Sequence, residues 1–214
     1  MIKNVIFDLG RVIYNYSPRE DLIKLGIFGE KANLFMDRIY DAPIWKELDR
    51  GTCTVADGIK KLCKDYPDMA ADIKKVFINE NNNVGDWVER VIYVMPESLD
   101  FFYEVKSQGF KIYILTNFPE DAFAFIRARD PFFDDADGIV VSAHEKLIKP
   151  DPAIYQCLLD RYDLKPKETL FIDDLPLNTA AAKSLGIRAI QFKDIDDCKR
   201  RFAECIRLNM QAEI

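Results

Sequence analysis

Val5-Ile6-Phe7-Asp8-Leu9-Gly10-Arg11-Val12-Ile13 places three apolar residues directly before an aspartate, and three more apolar runs in the chain lead into polar or charged residues. Ile112-Tyr113-Ile114-Leu115 runs into Thr116-Asn117. Gly138-Ile139-Val140-Val141-Ser142 is followed after a short loop by Lys149-Pro150. Leu170-Phe171-Ile172 runs into Asp173-Asp174. Continuous apolar runs of this length fit strands of a parallel sheet covered on both faces better than alternating runs would. Polar groups just past the carboxyl ends of such strands are where open α/β sheets build ligand sites. A lone carboxylate, a hydroxyl, a cation and an acid pair, in that order, are the groups that handling a phosphate and a divalent metal requires.

The segments between these runs support the same reading. Residues 3 to 8 read as the first strand, and from about Tyr16 to Tyr93 no comparable strand follows. That stretch carries amphipathic segments instead, with Leu34, Phe35, Arg38 and Ile39 in one and Ile59, Leu62 and Cys63 in another. Thr54 and Asp57 form a capping-box pattern ahead of the latter. Pro18, Pro43 and Pro67 punctuate the stretch, and Gly26, Gly29 and Gly51 mark turns. After it, strands and helices alternate. Pro96 opens a helix with Leu99, Phe102 and Tyr103 on one face, closed by Gly109. Further helices start after Pro119, near Asp151-Pro152 and around Thr179, where the alanine-rich helix ends at Gly186. A last strand, Arg188 to Phe192, precedes a C-terminal helix. The expected fold is α/β: a Rossmann-like, doubly wound parallel sheet with right-handed crossovers, formed by residues 1–15 and 94–214. Residues 16–93 are expected to form an inserted α-helical cap domain.

Composition excludes several functions. The chain has 214 residues, a length suited to one core with a modest insertion, and a net charge of −6. No basic stripe exists to displace counterions from a nucleic-acid backbone, so no nucleic-acid partner is expected. A small anionic substrate is compatible with that charge, because a bound cation and one lysine reverse the local field. The five cysteines (Cys53, Cys63, Cys157, Cys198, Cys205) are odd in number and lack CxxC spacing, the pattern of reduced thiols in a cytoplasmic protein. The N-terminus runs directly into Asp8, leaving no room for a cleavable signal, and no run approaches the roughly 20 apolar residues a bilayer span needs, so no membrane partner is expected. The single histidine, His144, excludes metal sites built on two histidines and reads as a surface or loop residue. The oligomeric state is not readable from this sequence.

Each candidate residue has an ordinary reading beside the chemical one. Asp8, as a nucleophile past a buried strand, needs a cation to offset its desolvation; alone, it could simply cap a turn. Lys149, as the cation for a phosphoryl group, sits in Ile148-Lys149-Pro150-Asp151-Pro152, where a lone lysine would be a solvated loop residue. Thr116 and the amides after it offer donors to phosphate oxygens; alone, Thr116 would be an N-cap. Asp173 and Asp174 repel each other by roughly 4 kcal/mol at 4 Å for an effective dielectric of 20. A Mg²⁺ ion removes that cost; the ordinary alternative splays both side chains into water.

Together, these motifs resemble those of the haloacid dehalogenase superfamily, whose phosphatases hydrolyse phosphate esters through a phospho-aspartate. Phe7-Asp8-Leu9-Gly10-Arg11-Val12-Ile13 is similar to its first motif, Leu115-Thr116-Asn117 to the second, Ile148-Lys149-Pro150-Asp151-Pro152-Ala153-Ile154-Tyr155 to the third, and Phe171-Ile172-Asp173-Asp174 with Asn178 to the fourth. The helical stretch lies where that superfamily inserts a cap. The resemblance implies that Asp8 attacks phosphorus and ligates Mg²⁺, with the Gly10 carbonyl as another ligand. It implies that Asp174 binds the metal directly and Asp173 directly or through water. Thr116, Asn117 through its amide, and Lys149 would hold the phosphoryl oxygens, making Asp8 and Lys149 the catalytic pair. Asn178 would support Lys149 or the metal's waters, or only begin the next helix.

One departure stands out. Most phosphatases of the superfamily carry a second aspartate two residues after the nucleophile as the general acid and base, and here that position is Gly10. General acid–base help is worth about 10²–10⁴-fold, roughly 3–5 kcal/mol, against total enhancements near ~10²¹ for the slowest monoesters. Its loss is least damaging for a good leaving group, such as the anomeric oxygen of a sugar 1-phosphate. The chain is also similar to the subgroup having this glycine and the acid pair, which includes α-glucose-1-phosphate phosphatases. The expected activity is Mg²⁺-dependent hydrolysis of a small-molecule phosphate ester, a sugar phosphate first among them. The alternatives are a catalytically weak or silent member that binds a phosphometabolite, and a 2-haloacid dehalogenase. Tyr14, Asn15, Tyr16, Arg19, Trp45 and Lys46 are candidates to face the substrate, although tryptophan and tyrosine are more often packing residues.

Overall fold

A computed structural model describes residues 1–78 and 85–211. Five strands form one parallel sheet: β1 (Asn4–Phe7), β4 (Lys111–Thr116), β5 (Gly138–Val141), β6 (Thr169–Asp173) and β7 (Arg188–Gln191), in the order β5-β4-β1-β6-β7. β2 (Tyr14–Tyr16) and β3 (Ile92–Val94) pair antiparallel as a separate two-stranded ribbon. Among the described residues, six α-helices lie between the ribbon strands: α1 (Pro18–Lys24), α2 (Gly29–Phe35), α3 (Ile44–Asp49), α4 (Val55–Asp65), α5 (Ala70–Phe77) and α6 (Gly85–Val91). The remaining helices are α7 (Pro96–Ser107), α8 (Glu120–Arg129), α9 (Ser142–Glu145), α10 (Pro152–Arg161), α11 (Pro176–Ser184) and α12 (Ile195–Gln211).

The apolar runs become the buried strands for the reason the pattern gives. All four β1 residues are buried, as are all five of β6, so these strands have no solvent face to alternate toward. One core layer joins Phe7 to Phe101 and Phe102, with ring centroids 6.1 and 5.6 Å apart. The opposite face packs Phe171 edge-on against Tyr155 at 5.6 Å. Burying a side chain of this size is worth roughly 1.5–3 kcal/mol, so the β1 environment alone fixes the sheet's centre.

The helices between the ribbon strands follow the punctuation closely. Thr54 caps α4, its hydroxyl accepting from the Asp57 amide at 3.2 Å. α2 runs into a π-helical turn, Met36–Tyr40, that shifts the phase of the following side chains. Two local expectations differ. The face of α7 turned inward carries Ser98, Phe101, Phe102 and Val105, whereas Tyr103 is exposed and its hydroxyl donates to Asp135 at 2.9 Å. A polar partner at the helix rim keeps Tyr103 out of the core. The short strands β2 and β3 were not expected. Three residues are too few to produce a periodic signal, and they pair only because the chain leaves and re-enters the sheet side by side. Among the described residues, no helix is long and apolar enough to cross a membrane.

Candidate active site

Strand order explains why distant sequence motifs meet. β1 lies between β4 and β6, with Phe7 in register with Ile114 on one side and Ile172 on the other. Asp8, Thr116 and Asp173 therefore emerge at the same carboxyl-terminal edge of three neighbouring strands. The loop after β5 brings Lys149 in from the far side of β4. A cavity of about 340 Å³ opens above this edge, and Asp8, Gly10, Asn117, Lys149, Asp174 and Asn178 border its floor.

Lys149 is the hub. It is 4% exposed, and its Nζ lies 2.8 Å from Asp8 Oδ1, 2.6 Å from Asp173 Oδ2 and 3.0 Å from the Leu115 carbonyl. Burial pulls its ammonium toward neutrality, but the two carboxylates outweigh this and raise it. Its loop is pinned by Asn117, whose Oδ1 accepts from the Lys149 amide at 2.8 Å while its Nδ2 donates to the Lys149 carbonyl at 3.0 Å. The Asn117 side chain is thus committed, leaving only its main-chain amide for a ligand.

Asp8 and the acid pair converge. One carboxylate oxygen from each of Asp8, Asp173 and Asp174 lies within 4.8 Å of the others. Burial pushes Asp8 up to about 7, opposed by Lys149 and reinforced by Asp173. Burial and then Asp173 also raise Asp174. A set of hard oxygen donors held this close is a suitable seat for a small divalent cation, and Gly10 borders the same space.

The two members of the pair are not equivalent. Asp173 is fully buried; besides Lys149 it accepts from the Leu175 amide at 2.8 Å and from Asn178 Nδ2 at 3.0 and 3.1 Å. Asp174 is half-buried and lines the cavity. Asn178 sits in the first turn of α11 and orients Asp173, which in turn holds Lys149. Thr116 Oγ1 is, among the described residues, the buried side-chain polar atom without a hydrogen-bond partner. Such an orphan costs about 1–3 kcal/mol unless a ligand oxygen satisfies it; Thr116 stands at the carboxyl end of β4 and is not itself among the residues lining the cavity.

The cavity roof comes from the helical stretch. Tyr16, Tyr40, Trp45 and Trp87 line it, with Phe118 from the core. Trp45 stacks on Tyr40 at 6.1 Å with an interplanar angle of 8°, and packs at a tilt of 34° against Trp87 at 5.6 Å. Of the residues expected near the substrate, Tyr14, Asn15, Tyr16 and Trp45 border the cavity. Arg19 and Lys46 do not; Arg19 instead donates to Asn33 at 2.9 Å. Exposed His144 packs edge-on against Phe123 and is likewise absent from the lining. Several residues of the site region went unread as such in the sequence. Arg11, Tyr40, Asp49, Trp87 and Phe118 line the cavity; Ser142 and Gly51 seat α3 on the core. Arg11 follows the glycine of the first motif at φ 57, the one local signal available.

The model of the haloacid dehalogenase-like hydrolases matches residues 2–186, and the chain belongs to that family. It is 27% identical over 195 residues to a sesquiterpene phosphatase of Aspergillus oryzae, covering 90% of each chain. It is 34% identical over 193 residues to a phosphorylated carbohydrates phosphatase of Thermotoga maritima, covering 87% of this chain and 82% of that one. Its fold superposes with a TM-score of 0.70 on a haloacid dehalogenase family enzyme of Bacteroides thetaiotaomicron crystallised with magnesium and inorganic phosphate. That match is 22% identical and covers 90% of this chain and 95% of the other.

Proposed function

We propose that this chain is a Mg²⁺-dependent phosphoric monoester hydrolase that acts on a small phosphorylated metabolite through a phospho-aspartate on Asp8. The observation that carries the reading is the buried constellation at one sheet edge: Asp8 beside Lys149, an unpartnered Thr116 hydroxyl, and three carboxylates within 4.8 Å. In this reading Asp8 supplies the attacking oxygen. Thr116, the Asn117 amide and Lys149 hold the phosphoryl oxygens. Asp8, the Gly10 carbonyl and Asp174 hold the ion, which neutralises charge on the phosphoryl group when bound. Asp173 reaches it at most through water, because its oxygens are already engaged by Lys149, Asn178 and the Leu175 amide. The two relatives named for phosphatase activity support the reaction class.

The aromatic roof bears on the substrate. Flat aromatic faces pack against the apolar face of a sugar ring, which supports a sugar phosphate, in line with the carbohydrate-phosphate relative. The same walls suit a hydrocarbon chain, and the sesquiterpene relative makes a prenyl-type phosphate the second reading. Phosphate release from a panel of sugar 1-phosphates, sugar alcohol phosphates and prenyl phosphates separates the two. Mg²⁺-dependent hydrolysis of p-nitrophenyl phosphate, lost in Asp8→Asn, tests the reaction itself. Equal activity in wild type and Asp8→Asn overturns it, and metal-independent chloride release from 2-chloropropionate would make the protein a dehalogenase.

A further inference from the structure

A proton donated to the leaving oxygen speeds expulsion of a poor alkoxide leaving group by about 10²–10⁴-fold, and the reading above assigns no donor. The groups lining the cavity leave few sources. Asp8 attacks, Asp174 faces the ion, and Lys149 is held as a cation by Asp8 and Asp173. Arg11 is a permanent cation. The phenols of Tyr14, Tyr16 and Tyr40 are all driven up by burial, and that of Tyr14 already donates to Asp130 at 2.6 Å. Asp49 remains.

Asp49 ends α3, one turn after Trp45, so the two side chains share the helix face that lines the cavity opposite Asp8 and Lys149. No described residue hydrogen-bonds to its carboxyl group, although it lies in the field of Lys149 from the core and of Tyr16 on β2. Its main chain is fixed to the core. The Ser142 hydroxyl donates to the Asp49 carbonyl while accepting from the Phe118 amide at 2.9 Å. Lys146 Nζ donates to the Gly51 carbonyl at 2.6 Å. Gly51 has φ +67, and a Cβ there would lie 2.4 Å from the Ala143 carbonyl oxygen, so only glycine allows this seating. Burial pushes the Asp49 carboxyl up to about 7 against the pull of Lys149. A group so placed gives and retakes a proton near neutral pH.

Building on the phospho-Asp8 reading, we propose that Asp49, delivered from the helical stretch and latched by Ser142, is the general acid for the leaving group and the base for the attacking water. In the first step an Asp8 oxygen bonds to phosphorus, the ester P–O bond breaks with its electron pair on the leaving oxygen, and the Asp49 proton passes to that oxygen. An alcohol leaves, and Asp49 is a carboxylate. In the second step a water oxygen bonds to phosphorus, the P–O bond to Asp8 breaks with its pair returning to the carboxylate, and one water proton passes to Asp49. Hydrogen phosphate leaves, and both acids are restored.

Benzyl phosphate and p-nitrophenyl phosphate test this assignment, because they are similar in shape but differ in leaving-group acidity. For Asp49→Asn, kcat/KM, which reports the step that expels the alcohol, should fall about 100-fold or more on benzyl phosphate and about 10-fold or less on p-nitrophenyl phosphate. Asp49→Glu should recover part of the benzyl phosphate rate. An equal fall on both esters, or no fall on either, in an otherwise active wild type overturns the role of Asp49 alone. A wild type no better than Asp8→Asn on both esters overturns the phosphatase reading and this one with it.

Discussion

Replacing Asp174 by Asn and, separately, Asp173 by Asn should separate two roles that adjacent positions conceal. With Mg²⁺ at 100 times its dissociation constant, binding stabilises the folded chain by about 2.7 kcal/mol. At roughly 2.1 cal/mol/K of unfolding entropy per residue, 214 residues give about 0.45 kcal/mol/K, so wild type should gain about 6 °C in Tm. Loss of a charged ligand that weakens binding about 100-fold leaves roughly 0.4 kcal/mol, or about 1 °C. Metal-free Asp174→Asn should melt no lower than wild type, since burial and Asp173 already disfavour the charge at that position. Asp173→Asn differs because it strips Lys149 of its 2.6 Å partner inside the core. Breaking a buried pair costs about 3–5 kcal/mol. Relief of repulsion against Asp8 and Asp174 puts the loss near the lower end, about 3 kcal/mol or roughly 7 °C without metal. Differential scanning fluorimetry with EDTA and with Mg²⁺ reads both quantities. A full magnesium shift in Asp174→Asn, or a metal-free Asp173→Asn melting within about 2 °C of wild type, would refute the division of roles.

Lys149→Met leaves Asp8 and Asp173 buried without their cation, and a loss of about 3–5 kcal/mol in urea unfolding, with no phosphatase activity, is expected. An active, stable variant would contradict the hub assignment. Gly51→Ala puts a Cβ against Ala143 in a left-handed conformation and should cost about 1–3 kcal/mol, with weaker turnover as α3 lifts from the core. A stability scan and steady-state kinetics on the same sample check this. The folded-state value of Asp49 lies above its ordinary 3.8, so its contribution is unfavourable when ionised: absent below about pH 4 and fully present above about pH 7. At about 1.36 kcal/mol per unit, the ceiling is roughly 4 kcal/mol, and solvent in the cavity halves it to about 2. The Tm of Asp49→Asn relative to wild type should therefore rise by about 4 °C between pH 4 and pH 8.5. A pH-independent difference would show that Asp49 ionises normally in the fold.

Much of the site was legible because its chemistry sits at strand ends. Asp8, Thr116 and Asp173 each follow an uninterrupted apolar run, and a parallel sheet delivers such positions to one edge whatever the intervening loops do. Lys149 was legible from its place in the third motif, although its burial was not. A lysine before a proline reads as a loop residue until two carboxylates are seen to surround it. The division of labour between Asp173 and Asp174 had no local signal either. It follows from Asn178 and the Leu175 amide turning in one side chain and leaving the other toward the cavity.

By itself, the order of residues determined the alternating architecture, the helical insertion and the identity of the groups at the sheet edge, because burial periodicity and strand-end polarity are local properties of a chain. Only the tertiary structure decided what stands opposite them. Trp45, Trp87 and Asp49 reach the cavity because β2 and β3 return the helical stretch over the sheet and Ser142 fastens α3 to the core. Those contacts join residues up to 93 positions apart. Whether a carboxylate keeps its proton depends on the solvent and charges such distant partners exclude or supply, and no stretch of neighbouring residues carries that information.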